Sequence, residues 1–78
     1  VWIQVEALDR TLLLRDVTAV ISDTGGNITA SATVTTPDRV ATLRYEVELS
    51  DASQLPRMLA DVRGVDGVFA VSRISEPE

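Results

Sequence analysis

Hydrophobic and polar residues alternate from the first position of the chain. Val1, Ile3, Val5 and Ala7 fall on one side and Trp2, Gln4 and Glu6 on the other. Period two over Val1–Ala7 predicts a half-buried strand. From Thr11 the period lengthens: Leu13, Leu14, Val17, Val20 and Ile21 recur at spacings of three and four, one stripe of a helix, with Arg15, Asp16, Thr18, Ala19, Ser22 and Asp23 on its outer face. Asp9 is expected to cap this helix through its carboxylate. Gly25-Gly26 is expected to stop it, one glycine taking the left-handed conformation. In the second strand, Asn27–Thr36, the residues Ile28, Ala30, Ala32 and Val34 alternate with Thr29, Ser31, Thr33 and Thr35. Thr36-Pro37-Asp38-Arg39 is turn chemistry. A third strand, Val40–Leu49, sets Leu43, Tyr45, Val47 and Leu49 against Thr42, Arg44, Glu46 and Glu48. The short turn makes an antiparallel hairpin of these two strands. Ser50-Asp51 leads into a second helix with Leu55, Met58, Leu59 and Val62 on one side. Its proline, Pro56, fits the first turn best if Ser53 is the N-cap. Gly64 ends that helix, Gly67–Ile74 forms the last strand, and residues 75–78 are a tail.

Strand, helix, strand, strand, helix, strand is the split βαβ order. Right-handed crossovers place both helices on one face of a four-stranded antiparallel sheet, an α+β, ferredoxin-like fold with the first strand central and the second at an edge. The chain reads as a single domain over residues 1–78, ordered to about residue 74. It opens on Val1 inside a strand-like run and carries no basic–apolar–small leader, as expected of a piece cut from a longer protein.

Composition narrows the chemistry. The chain has 78 residues, no Cys and no His, which removes thiolate or imidazole zinc sites, disulfides and histidine-based triads. Its acids are scattered over outer faces, so the piece is expected to be no enzyme by itself and to need no metal or cofactor. Net charge is −5, and the seven basic residues are all Arg, spread from Arg10 to Arg73. That balance disfavours general nucleic-acid binding and gives no attraction to a membrane. No window of eighteen apolar residues exists to span one.

Two places carry candidate function. The second strand holds no charged residue between Asn27 and Pro37, although natural edge strands are usually blocked by charge or proline. An unprotected edge is expected to be covered, either by a second copy pairing through Ile28, Ala30, Ser31, Ala32, Thr33 and Val34, or by a neighbouring domain. The other place is the first loop. The helix start offers free amides to a carboxylate, and an acid beside it can take an ammonium group. Leu8, Asp9, Arg10, Thr11, Leu12 and Leu13, with Asn27 and Ile28 expected close by, would suit a small apolar amino acid. The same residues also have plain structural roles as cap, turn and core.

At these residues the sequence resembles an ACT domain, a small regulatory module commonly attached to enzymes of amino-acid metabolism. The resemblance rests on the element order, on Leu8-Asp9-Arg10 before Leu13-Leu14, and on Gly26-Asn27-Ile28 opening strand two. More narrowly, Ile3-Gln4-Val5-Glu6-Ala7-Leu8-Asp9-Arg10, then Asp16-Val17-Thr18, Asp38-Arg39-Val40-Ala41 and Val62-Arg63-Gly64-Val65-Asp66-Gly67-Val68, is similar to the C-terminal ACT domain of Rel/SpoT-type (p)ppGpp synthetase/hydrolases. The resemblance implies a cytoplasmic, bacterial parent enzyme that makes and degrades the alarmone of the stringent response. This domain would bias it through homodimerisation, through Val, Ile or Leu as allosteric effector, or through contact with ribosome and tRNA. Many amino-acid-binding members carry Pro-Gly in the first loop; here the positions are Thr11 and Leu12, and Leu12 narrows the approach to the backbone.

Two alternatives stay open. One is an interaction module docking on ribosomal RNA through the open sheet face, with Trp2 and Arg44 or Arg73. The other is the ACT domain of an amino-acid biosynthetic enzyme, such as an acetohydroxyacid synthase regulatory subunit or a phosphoglycerate dehydrogenase.

Overall fold

The computed structural model describes residues 1–75; the rest of the expected tail, Glu76 to Glu78, lies outside the described residues. Six elements follow in the expected order: β1 (Trp2–Leu8), α1 (Leu13–Asp23), β2 (Gly26–Thr35), β3 (Val40–Leu49), α2 (Gln54–Arg63) and β4 (Val68–Ile74). They form one antiparallel sheet in the order β2-β3-β1-β4, so β1 is central and β2 lies at an edge. The helices share one face. Ile3, Val5 and Ala7 of β1 and Ala41, Leu43, Tyr45 and Val47 of β3 form the core with Leu13, Val17 and Ile21 of α1, Met58 and Val62 of α2, and Val71. Alternation in β1 and β3 produces this directly, since every second side chain of a strand faces the same layer.

The first helix departs from expectation at its start. Asp9 does not cap it. The helix begins at Leu13, its N-cap position is Leu12 in the left-handed conformation (φ 66°, ψ 10°), and no side chain caps it. Asp9 is instead fixed by its backbone, whose N–H donates to the carbonyl of Arg39 at 2.8 Å. Leu14, expected on the buried stripe, is half exposed, and only Leu13, Val17 and Ile21 of α1 are fully buried. The other end behaves as expected: Gly25 is left-handed (φ 91°). In α2, Ser53 is the N-cap residue and Pro56 is the third helical residue, while the carboxylate of Asp51 accepts the N–H of Ser53 at 2.9 Å.

Strand β2 also differs. Its register against β3 shifts between Ile28 and Ala30. Ile28 lies opposite Val47 on the helix side, but Ala30, Ala32 and Val34 lie opposite Glu46, Arg44 and Thr42, on the open face. The extra residue, Thr29, is held by its hydroxyl, which donates to the Glu46 carboxylate at 2.7 Å. One inserted residue turns the alternation over, so the four residues expected on one side are split between two.

Candidate functional site

The β1–α1 loop is tied down on three sides. The N–H of Leu8 donates to Gly67 O at 2.9 Å, and that of Asp9 to Arg39 O at 2.8 Å. Arg10 makes the third tie with its whole guanidinium. Nε donates to Asp66 O at 2.8 Å, Nη1 to Thr11 O at 2.9 Å and Nη2 to the Asp16 carboxylate at 2.9 Å. Gly67 beside this arm has φ 92°, a conformation that side chains rarely adopt, although a Cβ there would meet Arg10 Nε only in ordinary contact at 3.6 Å. Asp16 also accepts from Arg15 at 3.1 Å. The hydrogen bonds from Arg10 and then Arg15 hold the Asp16 carboxyl below the usual carboxylate range. The contribution of Asp16 to stability is therefore present above the ordinary carboxylate pKa and is lost as pH falls through its lowered value.

What the loop leaves free is chemically specific. At the start of α1, Leu13 N–H reaches Arg10 O and Asp16 N–H reaches Leu12 O, but the N–H groups of Leu14 and Arg15 have no partner among the described residues. They mark the positive end of the helix dipole. The carboxylate of Asp9 is exposed and has no hydrogen bond or ion pair among the described residues. Leu12 and Leu8 are exposed by 51% and 56%, an apolar surface beside these polar groups. Leu13 cannot line the same surface, because it is 3% exposed and belongs to the core. Arg10 serves as a strut, with each of its three guanidinium nitrogens engaged.

Asn27 and Ile28, expected beside this loop, lie at the opposite end of the sheet. Leu8 is opposite Val40 on β3, and Ile28 is opposite Val47. Seven residues along a strand is roughly 23 Å at about 3.3 Å each. Within one chain the two parts do not meet. The topology dictates this, because α1 runs back along the sheet before β2 begins.

The free edge is well defined. Thr36 N–H donates to Val40 O at 2.9 Å. Bonded and non-bonded pairs alternate in an antiparallel ladder, so Val34, Ala32 and Ala30 point their backbone groups inward to β3. Ser31, Thr33 and Thr35 point theirs outward. All three are exposed.

A second concavity was not legible in the sequence. It lies between α1 and α2, about 730 Å³, walled by Asp16, Asp23, Asp61 and Asp66 over Ala19 and Ala60. Only the folded packing of two distant helices brings those acids together. Among the described residues no group of three or more acidic side chains could hold a metal ion, and no helix is long and apolar enough to cross a membrane.

The profile of the ACT domain family matches residues 1–73. The chain is 52% identical over 75 residues to a GTP pyrophosphokinase of Streptomyces antibioticus, covering 96% of this chain and 9% of that protein. It is 45% identical over 75 residues to the bifunctional (p)ppGpp synthase/hydrolase RelA of Mycobacterium tuberculosis, covering 96% and 10%. It thus spans about a tenth of the length of these relatives. Among solved structures, the ACT domain from GTP pyrophosphokinase of Chlorobium tepidum superposes with a TM-score of 0.80 at 25% identity over 94% of each chain. The small subunit of acetolactate synthase from Thermotoga maritima superposes with a TM-score of 0.78 at 17% identity, over 95% of this chain and 46% of that one, and shares the fold.

Proposed function

The chain belongs to the ACT domain family, and from that premise we propose that it is the regulatory domain of a (p)ppGpp synthetase/hydrolase, sensing a branched-chain amino acid at a site completed by a second copy of itself. The family is regulatory, and its relatives at 45–52% identity are (p)ppGpp-metabolising enzymes. The observation that carries the composite site is the separation of Asn27 and Ile28 from the loop in a chain whose β2 edge is open. A two-fold axis through β2 pairs that strand antiparallel with its copy. The partner's Gly26–Ile28 end then lies beside the Thr35–Arg39 end of the first chain, where the Arg39 carbonyl holds Asp9. In this arrangement the Asp9 carboxylate takes the ligand's ammonium group and the free amides of Leu14 and Arg15 take its carboxylate. Leu12 and the partner's Ile28 enclose the aliphatic side chain of Val, Ile or Leu, and the partner's Asn27 supplies an amide.

The test is a heteronuclear NMR titration with Val, Ile and Leu, with Ser as control, at protein concentrations above and below the dimer's dissociation constant. Saturable shifts for the branched chains only, at Asp9 to Leu14 and at Asn27-Ile28, and only in the dimer, are the expected result. Asp9→Ala and Asn27→Ala should each weaken binding without unfolding the chain. Binding that is equally tight in both variants, or in a monomer, overturns the composite site. A chain that stays monomeric at hundred-micromolar concentration overturns the dimer.

A further inference from the structure

Two residues other than glycine have positive φ among those described, Leu12 at 66° and Arg39 at 63°. They are distant in sequence, and one backbone hydrogen bond joins the loop that contains Leu12 to Arg39. Leu12 sits at the N-cap of α1. Arg39 ends the β2–β3 turn, where its N–H donates to Thr36 O at 3.0 Å. This is a three-residue hairpin loop whose last position glycine usually takes. The N–H of Asp9, in the loop that contains Leu12, donates to the carbonyl of Arg39 at 2.8 Å. A side chain at either position is penalised sterically in the left-handed region, so each conformation persists only where neighbouring contacts hold it. For Leu12 the holding contacts include Arg10, which grips Thr11 O, Asp16 and Asp66 O. For Arg39 they include the bond from Asp9. Among the described residues, the one direct tie between the two segments is therefore the bond from the Asp9 N–H to the Arg39 carbonyl.

We propose that the β1–α1 loop and the β2–β3 turn form one two-state unit, coupled through the Asp9 N–H to Arg39 carbonyl bond, which passes a change in the loop to the hairpin end of edge strand β2. Its use rests on the function proposed above, since an effector would act at the loop and a second copy would pair along β2. The coupling itself belongs to the single chain and is measurable without ligand or partner.

The experiment is amide hydrogen exchange by NMR on the 78-residue chain, normalised to core amides of Val5 and Leu43. Leu12→Gly removes the steric penalty at the loop, and Leu12→Val increases it because a β-branched side chain tolerates the left-handed region worst. The N–H groups of Thr36 and Arg39 should then exchange about tenfold more slowly in the glycine variant than in the valine variant. Coupling is reciprocal, so Arg39→Gly should slow exchange at Leu13 and Asp16. Replacing the Asp9 amide by an ester, which deletes the N–H and keeps the side chain, should leave the turn indifferent to the residue at position 12. Turn exchange rates that are the same in both Leu12 variants overturn the proposal. Coupling that survives in the ester overturns its route. L-valine titrated into the same samples separates the two readings: a chain that binds no valine loses the sensor role and keeps the coupling, and a chain that binds valine with an independent turn does the reverse.

Discussion

Tyr45 carries the only phenol of the chain. It is 1% exposed in the core, and its hydroxyl has no hydrogen-bond partner among the described residues. Burial pushes its pKa up to about 12. The unfolded phenol ionises near 10, so the stability tied to Tyr45 is complete below about pH 10 and is lost as pH rises toward 12. Lys and Cys are absent, so the chain has no amine or thiol side chain beside this phenol. Urea midpoints from pH 8.5 to 11.5 should fall above pH 10 in the wild type and stay level in Tyr45→Phe. At neutral pH the same variant should be more stable by about 1 kcal/mol, because a buried hydroxyl without a partner has lost its water for nothing. Gly26 makes the opposite case. A Cβ there would lie 2.6 Å from Met58 Cε, 2.7 Å from Val47 Cγ1 and 3.0 Å from Ile21 Cγ2. Gly26→Ala should cost about 1–3 kcal/mol by overpacking, read as a lower melting temperature. Asp9→Ala should change stability by less than about 0.5 kcal/mol, since Asp9 caps nothing.

At the scale of elements, β2 is where the proposed assembly can be tested without touching the core. Thr33 points its N–H to the free edge, and Ala32 points its own toward Arg44 on β3. A proline on the outward position removes a donor that only a partner strand would use, whereas one on the inward position breaks the chain's own ladder. Thr33→Pro should therefore stay folded and become monomeric by sedimentation, while Ala32→Pro should lose about 1–3 kcal/mol of stability with the broken ladder bond. The same strand shows what the sequence carries and what it does not. Alternation along β1 and β3, and the helical stripe ending at Gly25, are local periodicities, and they place the core face and the element order. The bulge at Thr29 breaks no local rule, because Ile28-Thr29-Ala30 contains no glycine or proline. The contact found at it is with Glu46, seventeen positions away. Asp9 misleads for the same reason: beside a helix start it reads as a cap, and only the distant Arg39 carbonyl shows what fixes it. Loop composition marked the candidate site, but the distance from the loop to Asn27 follows from the direction in which β2 runs.

The whole molecule presents two faces of unlike character, and their charge bears on the alternative of RNA docking. On the face away from the helices, register places Glu6, Glu46 and Glu48 beside Trp2, Gln4 and Arg44. Arg73 lies opposite Ile3, on the helix side, and so does not share the face of Trp2. Arg44 is engaged with Gln4 at 3.0 Å. A sheet face used for RNA needs stacking aromatics within a positive groove; this one offers a single indole among three carboxylates and one guanidinium. On the helix side the groove between α1 and α2 is lined by Asp16, Asp23, Asp61 and Asp66 with Arg10, and Arg10, Arg15 and Arg57 are engaged with Asp16 and Asp61, so it presents no positive groove either. Electrostatic attraction to phosphates supplies most non-specific affinity and falls steeply with salt. With it missing, fluorescence of Trp2 during titration with single-stranded RNA should stay flat in 150 mM salt, and lowering the salt to about 50 mM should gain little affinity. A quench that strengthens several hundredfold over that range would assign the open face to RNA. A flat titration leaves the uncharged β2 edge as the surface of this domain best suited to a partner.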